Sequence, residues 1–185
     1  MDRNSALKLL KKHVKNQNTI KHSLASEAVL RALARRLGEN EDEWGLAGLL
    51  HDVDYEISEG NPSIHGIMCT NILKENSVDK EIIDAINAHN EMASNAPCRN
   101  TKFHYALAAG ETITGLITAT ALVYPDKKLA SVKTKSITKR MKEKAFAASV
   151  NRDVIMECEK LGLTIDEFAK TALEAMQSIS TDLGL

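Results

Sequence analysis

The sequence predicts an all-α protein, and three observations point to this class. Apolar residues recur with the spacing of one helix face over most of the chain, and no run alternates with period two for long enough to form a strand. Ala, Leu, Lys and Glu, which favour helices, dominate the composition. Only nine Gly and three Pro interrupt the 185 residues, of which 43% are hydrophobic. These proportions are typical of a globular helical protein with a sizeable core.

The first three helices are placed by their apolar spacing and their stops. Residues 4–16 form a basic amphipathic pattern, and a second helical pattern runs from residue 19 to Arg36. Gly38 follows at the position where helices commonly end, because glycine adopts the left-handed conformation without a steric penalty. A third helix is expected over 41–50, directly before the dipeptide His51-Asp52.

Two further helices are expected in the middle of the chain. Residues 53–61 include Ser58 and Gly60 and are predicted to form a loop. Asn61 and Pro62 then resemble the cap and first residue of a helix, which is expected to continue through Lys74. The next helix is predicted from Asp79 to His89.

The second half of the chain begins with a long apolar helix. This helix is predicted over 103–122 and is closed by Tyr124-Pro125. A basic helical stretch, a helix ending at Leu161-Gly162 and a last helix over 166–179 follow. No repeat or linker divides the chain, so one domain is expected over 1–185, with a metal-binding core at 18–122 and a C-terminal helical cap at 126–185.

The charge of the chain is unevenly distributed. The net charge is −1, yet the segment from Lys127 to Lys144 holds eight Lys and Arg against one acid, Glu143. This segment is the one electrostatic feature that points to an anionic partner. A nucleic-acid interface over 127–144 is a weak interpretation, because the segment lacks interleaved aromatic residues that stack on bases. A solvated cationic face is the simpler alternative.

The cysteine content and the hydropathy of the sequence predict the cellular compartment of the protein. Cys69, Cys98 and Cys158 form no CxxC pair, and an odd number cannot all be bridged within the chain. A reducing compartment is therefore expected, which predicts a cytoplasmic protein. The first residues lack the apolar run of a signal peptide, and no stretch approaches the length of a membrane span, so no membrane partner is expected.

Six polar side chains of metal-binding type fall on the apolar stripes or at the ends of the predicted helices. An inward-pointing histidine or carboxylate costs several kcal/mol unless it is paired or bound to an ion. Imidazole and carboxylate together form the donor set of zinc, manganese and iron sites, and a helical bundle can bring them to one point. The candidate ligands are His22, His51, Asp52, His65, His89 and Glu111.

Each candidate ligand also has a simpler interpretation. His22 is consistent with a hydrogen-bonded core histidine, which is more common than a ligand. His65 can decorate the first turn of its helix, and His89 suits the negative end of a helix dipole. Glu111 is consistent with an exposed helix acid. The joint pattern, rather than any single member, favours a metal site.

The ligand pattern resembles the HD superfamily of metal-dependent phosphohydrolases, whose signature is H…HD…D on an all-α bundle. Here the signature falls on His22, His51-Asp52 and Glu111, and the stretch LAGLLHDVDYE is similar to the helix end that carries the family's pair. The chain departs from the family at the last ligand, where Glu111 within GETITG replaces the usual Asp. The resemblance implies an HD-domain helical bundle and a divalent cofactor that can be Fe, Mn, Zn, Mg, Ni or Co.

The resemblance also bears on the number of metals. His65 and His89 fall where two-metal branches of the superfamily place additional histidines, which favours two ions over one, with Asp52 as a bridge. The part beyond Pro125 is similar to a subgroup of HD-domain proteins described only as predicted hydrolases.

The implied function is hydrolysis of a phosphate monoester, diester or anhydride of a small nucleotide-like compound, with His51 and Asp52 as the catalytic residues. His104, Lys142 and Arg152 are candidate substrate-binding residues. A catalytically weak ligand-binding or regulatory module is the alternative.

The residues just after the His-Asp pair are a further candidate for the site. Asp54 and Tyr55 are close enough to His51-Asp52 in sequence to orient ligands or to contact the substrate. Capping and packing are their simpler roles.

Overall fold

The computed structural model describes residues 1–185 and contains only helices and turns, which confirms the all-α prediction. The two longest helices, α2 and α6, have 21 residues each. Short 3₁₀ segments occur at Leu129–Ser131 and Glu157–Leu161. In chain order the α-helices are α1 Arg3–His13, α2 Gln17–Leu37, α3 Glu41–Leu50, α4 Cys69–Glu75, α5 Lys80–His89, α6 Lys102–Leu122, α7 Thr134–Met141, α8 Arg152–Met156, α9 Ile165–Ser178 and α10 Ser180–Leu183.

Side-chain caps fix the starts of α2, α3 and α6, whereas α5 has no side-chain cap. The side chain of Asn16 accepts a hydrogen bond from an amide in the first turn of α2, and Asn40 does the same for α3. The Thr101 hydroxyl caps α6. At the other end of α2, Gly38 has a φ of 72°, as the sequence predicted. The starts and stops of these three helices lie within three residues of their predicted positions.

Helix α2 lies at the centre of the molecule and packs against α3, α6 and α9. Helix α5 and the 157–161 segment pack on α6. One continuous apolar core includes Leu30 and Leu33 of α2, Leu107 of α6 and Phe168 of α9, all fully buried. The C-terminal helices therefore contribute to the same core as the ligand-bearing helices. None of the helices combines the length and apolar character that a membrane span requires.

The helix predicted from Asn61 through Lys74 is wrong in its first half. Residues 61–68 form turns, and α4 begins only at Cys69. The buried carboxylate of Asp54 accepts hydrogen bonds from the backbone amides of Gly66 and Cys69, and it takes the place of the helix carbonyls that these amides would otherwise use. Gly66 also has a φ of 84°, which a continuous helix excludes.

The helix predicted to end at Leu161 is also different in the structure. Only α8 is α-helical, and the chain continues as a 3₁₀ segment to Leu161. Gly162 then stops it with a φ of 75°, so the predicted end is correct.

Candidate metal centre

The six predicted metal-binding side chains converge on one point, although they come from five parts of the chain. Helix α2 carries the first, two follow directly after α3, one lies in the 61–68 turns, one is the last residue of α5, and one lies on α6. The histidines and Asp52 form two overlapping groups of potential ligand atoms, His22–His51–Asp52 and Asp52–His65–His89. The predicted helix-face position of His65 was wrong, because a turn carries it.

The first group is centred on Nε2 of His22. This atom lies 3.1 Å from Nε2 of His51, 3.6 Å from Oδ2 of Asp52 and 3.5 Å from Oε2 of Glu111. His51 Nε2 is 3.4 Å from the other carboxylate oxygen of Asp52. The extra methylene of Glu111, relative to the Asp of the family pattern, therefore does not keep its carboxylate away from the group.

The second group lies on the other side of Asp52. Nε2 of His65 is 3.1 Å from Oδ1 of Asp52 and 3.2 Å from Nε2 of His89. Asp52 thus belongs to both groups, with one carboxylate oxygen close to His22 and the other close to His65. This is the arrangement of a carboxylate that can bridge two ions.

The spacing of the donor atoms fits a divalent ion. Two nitrogen ligands about 2.1 Å from one ion lie about 3.0 Å apart at a right angle and about 3.4 Å apart at the tetrahedral angle. Five separations within the two groups run from 3.1 to 3.6 Å, and all ligand atoms of each group lie within 4.8 Å of one another. The donor set of imidazole and carboxylate suits Zn²⁺, Mn²⁺ or Fe²⁺.

The outer nitrogen of every ring has a hydrogen-bond partner. Nδ1 of His51 and Nδ1 of His89 each lie beside a backbone carbonyl, of Gly48 and Ile86. Because a carbonyl only accepts, both Nδ1 atoms carry the proton. Nδ1 of His65 likewise donates to a carboxylate oxygen of Asp54 at 2.8 Å.

The ring of His22 also carries its proton on Nδ1, which is fixed by the hydroxyl of Thr114. The Thr114 hydroxyl donates to the carbonyl of Glu111, so its oxygen accepts from Nδ1 of His22 at 2.9 Å. In the neutral form, all four rings therefore direct an Nε2 lone pair toward the cluster, and two pairs of these atoms face each other at 3.1 and 3.2 Å. Facing lone pairs require a positive species between them, and a divalent ion held by these rings would supply it.

In the ion-free protein, a proton rather than an ion supplies the positive charge between facing Nε2 atoms. Burial alone would lower the pKa of His65, but its hydrogen bonds with Asp52 and Asp54 outweigh burial and raise that pKa to about 10. Burial lowers the pKa of His89 to about 4 and also lowers the pKa of His51, which keeps both rings neutral near pH 7. The pair of His65 and His89 thus contains one ring that holds a proton and one that does not.

Metal binding is expected to release protons, since His65 must lose its proton to act as a ligand. At pH 7.5, below its pKa of about 10, at least one proton per protein should be released. The metal affinity should therefore rise with pH by about tenfold per unit for each proton released. Calorimetric titration in two buffers with different ionisation heats measures the release, and equal heats in both buffers would contradict it.

Two glycines allow the elements to approach closely enough to form the centre. A Cβ on Gly48 of α3 would lie 2.7 Å from the carbonyl oxygen of Ser26 on α2, so a larger residue would separate the helices that carry His22 and His51. A Cβ on Gly66 would lie 2.9 Å from Cε1 of His89. Both positions lie at close approaches that sequence spacing alone did not reveal.

The side chain of Asp54 orients the ring of His65. The sequence had favoured a capping or packing role for Asp54. Its side chain is fully buried, and it accepts from Nδ1 of His65, from the amide of Gly66 and from the amide of Cys69. The same carboxylate thus shapes the turn and holds the ring that it presents.

Sequence reasoning missed three other residues that position ligands. Thr114 fixes His22, and its spacing of three from Glu111 on α6 was the available signal. Arg99 is buried and donates to the carbonyls of Ala88 and His89 at the end of α5. Asn90 donates to the carbonyl of His65. No local pattern marks Arg99 or Asn90, because their partners are distant in sequence.

The centre opens into a cavity of about 310 Å³. Neither lysine, arginine, serine nor cysteine lines it. Tyr55 and Met92, which are 44% and 68% exposed, lie at its rim. The complete wall is His22, Asp52, Tyr55, His65, His89, Asn90, Glu91, Met92, Glu111, Thr112, Asn151 and Val154.

The three predicted substrate-binding residues are not brought to this wall. The two terminal nitrogens of the Arg152 guanidinium donate to the backbone carbonyls of Ala147, Val150 and Phe146, so they are used within its own loop, and its buried Nε has no partner. Lys142 is the residue after α7 and lies away from the cavity. The ring of His104 faces the amide of Asn100 at the start of α6. The cavity wall therefore does not support a substrate-binding role for these three residues, and that role stays a prediction.

The family model for the HD domain matches residues 19–124, more than half of the chain. The chain belongs to the HD domain family. The match contains all six candidate ligands and confirms the resemblance seen in the sequence. Membership places the protein in a superfamily of metal-dependent phosphohydrolases.

Curated relatives of this HD domain protein include several enzymes named Ribonuclease Y. The one from Oleidesulfovibrio alaskensis is 32% identical over 76 residues, which cover 41% of this chain and 15% of that protein. Those from Aster yellows witches'-broom phytoplasma and Onion yellows phytoplasma are 36% and 40% identical, over 41% of this chain and 14% of each relative. The matched stretch thus spans only about a seventh of the length of these relatives.

Proposed function

We propose that this HD domain protein is a metal-dependent phosphohydrolase acting on a small phosphorylated compound. The observation that carries the proposal is the pair of histidine–aspartate groups that share Asp52 and open into one cavity. A cavity lined by neither lysine nor arginine gives a phosphate few partners other than bound cations. Two divalent ions at the shared carboxylate account for phosphate binding in a site of this composition.

Water is the proposed nucleophile. The cavity wall contains no serine or cysteine, and the nearby Cys69 is buried with a pKa raised by burial and by Asp54. When bound, a divalent ion lowers the pKa of water and neutralises charge that develops on the phosphoryl group. The histidines and Asp52 hold the ions, and their outer hydrogen bonds fix the direction of each ligand.

Glu111 is the proposed proton acceptor beside the reacting phosphate. In the ion-free protein, burial would raise the pKa of this carboxyl, but the hydrogen bond with His22 and the charges of the neighbouring histidines outweigh burial and lower it, so the group is ionised near pH 7. Its other oxygen accepts from the Thr112 hydroxyl, which directs the carboxylate into the cavity. An ionised carboxylate in this position can take a proton from attacking water.

Phosphate release tests the proposal against the alternative of a binding module. Protein loaded with Mn²⁺, Fe²⁺ or Zn²⁺ would be assayed for release from phosphomonoesters, cyclic dinucleotides and tripolyphosphate. A phosphohydrolase releases phosphate or a shorter product in a metal-dependent manner. A binding module raises its melting temperature with a ligand but releases nothing.

RNA phosphodiester cleavage is the second candidate, and it is favoured by the Ribonuclease Y relatives. The absence of cations from the cavity wall weighs against a long polyanion at this site. A single-stranded RNA oligonucleotide in the same assay distinguishes the two candidates. Internal cleavage of the oligonucleotide at a rate above that of the small esters would favour the nuclease.

His89→Gln is expected to lower the metal content from two ions per protein to one. The substitution removes a ligand nitrogen from the second group and leaves the first group intact. Elemental analysis of dialysed protein measures the content, with His104→Gln as a matched control outside the cluster. An unchanged content of two ions in His89→Gln would remove this residue from the site.

A further inference from the structure

The buried side chain of Arg99 joins the end of α5 to the segment that follows α8. It makes five hydrogen bonds, one for each N–H of the guanidinium. Nη1 donates to the backbone carbonyls of Ala88 and His89, at 3.1 and 3.3 Å. Nε and Nη2 donate to the two carboxylate oxygens of Glu157, each at 2.7 Å, and Nη2 also donates to Glu91. A guanidinium with all its donors used is held in one orientation.

Glu157 lies outside the part of the chain that the HD family model matches. The match ends at residue 124, whereas Glu157 begins the 3₁₀ segment after α8. Its contact with Arg99 is bidentate, and the side chain of Arg99 is only 8% exposed. An exposed ion pair contributes little, but a bidentate pair on a buried guanidinium fixes the two segments that carry it.

Glu91 extends this link to the wall of the metal cavity. Its Oε2 accepts from Arg99 at 2.5 Å, and its Oε1 accepts from Nδ2 of Asn151 at 3.1 Å. Glu91 and Asn151 both line the cavity, and the side chain of Asn151 also caps the start of α8. The residues on either side of α8, Asn151 and Glu157, are therefore both tied to the end of α5.

The last turn of α5 is the part of the metal centre that depends on this link. The final carbonyls of a helix have no partner within the helix, and Arg99 donates to two of them. Its positive charge also suits the negative end of the helix dipole. His89 is the last residue of α5, and its Nδ1 donates to the carbonyl of Ile86 in the same turn. Fraying of this turn would therefore move the His89 ring away from His65.

We propose that Glu157 is a positioning residue for the second ligand group and acts through Arg99 on His89. The segment formed by α8 and the 3₁₀ residues after it thus supports the metal centre from outside, in addition to packing on α6. This role rests on the proposed function, because it concerns the orientation of one of the proposed ligands. A change at Glu157 should weaken the ion of the second group and leave the ion of the first group bound.

Glu157→Gln tests this role with almost no change in side-chain size. The amide keeps one acceptor oxygen but turns N–H groups toward a guanidinium nitrogen, so the bidentate pair is lost. Calorimetric titration of the ion-free protein with Mn²⁺ measures the number of ions and their affinities. The affinity for one ion should fall about tenfold or more, as is usual when an outer hydrogen-bond partner is removed. The other ion should bind as in the wild type.

Amide hydrogen exchange of the ion-free protein gives a second readout that does not depend on metal. The amides of residues 86–89 should exchange faster in Glu157→Gln than in the wild type, because the last turn of α5 opens more often. The amides of α2 should keep their exchange rates, since α2 has no contact with this link. Unchanged exchange at residues 86–89 would contradict the route from Glu157 through α5.

Glu159→Gln is the matched control. Glu159 lies in the same 3₁₀ segment, is exposed and forms no ion pair, so the variant loses the same charge without losing a contact. Arg99→Met, which removes all five hydrogen bonds, should show a larger selective loss of the same ion. If Arg99→Met does not fold, Glu157→Gln decides the question alone.

Three outcomes would overturn the role of Glu157 while the phosphohydrolase stands. They are full affinity for every ion in Glu157→Gln, an equal loss of affinity for both ions, and an equal loss in the Glu159→Gln control. If wild-type protein binds no Mn²⁺, the proposed function fails and the role of Glu157 fails with it.

Discussion

Asp52→Ala is expected to remove both of the proposed ions and to lower the proposed phosphate release by at least about a thousandfold, since that reaction would depend on them. Asp52 is the one side chain that belongs to both ligand groups. It also faces His51, His65 and His22, and together these rings outweigh burial and lower the pKa of its carboxyl. Its removal leaves neighbouring imidazoles without the negative charge that holds cations at the centre.

Elemental analysis and a phosphate-release assay on the same preparation measure this effect. Asp166→Ala is the matched control, because Asp166 is an exposed carboxylate without an ion pair. Circular dichroism establishes that the helical fold persists in both variants. If folded Asp52→Ala protein still binds two ions, Asp52 is not a ligand of the centre. If the Asp166→Ala control also loses metal, the loss reflects a general effect of charge.

Two substitutions of Asp54 are expected to separate folding from metal binding. Asp54→Ala leaves three buried donors without an acceptor, from His65, Gly66 and Cys69. Each unsatisfied buried donor costs about 1–3 kcal/mol, so a loss of about 3–5 kcal/mol in the free energy of unfolding is expected. Urea denaturation of wild-type and variant protein measures this loss.

Asp54→Asn should have a different result. Its amide oxygen can still accept from the Gly66 and Cys69 amides, which both bond to Oδ2 in the native protein. The amide nitrogen then faces Nδ1 of His65 as a donor, which favours the tautomer with the proton on Nε2. Nε2 of His65 then carries the proton and has no lone pair to donate to the ion. In metal sites, the hydrogen-bond acceptor at the outer ring nitrogen determines which nitrogen is free to bind.

The expected outcome for Asp54→Asn is therefore near-native stability with one bound ion instead of two. Metal content and urea midpoint would be measured on the same protein. Two ions at full affinity in this variant would show that Asp54 only shapes the turn. A large loss of stability with both ions retained would contradict the tautomer argument as well.

Local sequence signals were sufficient for most of the helices and for part of the site. Apolar spacing and caps placed α2, α3 and α6, and hence His22 and Glu111, because these signals act within a few residues. The same reasoning placed His89 at the end of α5. The convergence of the candidate ligands was inferred because they are polar side chains on apolar helix faces or at helix ends. The distances between them come from the structure.

The errors arise where distant residues determine the local structure. Asn61 and Pro62 resemble a helix start, yet the carboxylate of Asp54 competes for the amides that a helix would use. The turn still brings His65 to the other candidate ligands, so His65 lies at the centre although the helix predicted to carry it was wrong. Arg152 resembles a phosphate-binding residue by charge alone, whereas backbone carbonyls of its own loop hold it.

Four Nε2 atoms and Asp52 are proposed to hold two divalent ions, and crystallography with anomalous scattering tests this proposal most directly. Crystals of Mn²⁺-loaded protein would be measured above the manganese absorption edge. Two anomalous peaks are expected, one among His22, His51 and Asp52 and the other among Asp52, His65 and His89, each about 2.0–2.3 Å from its ligand atoms. The absence of any peak between these side chains at saturating Mn²⁺ would contradict the claim.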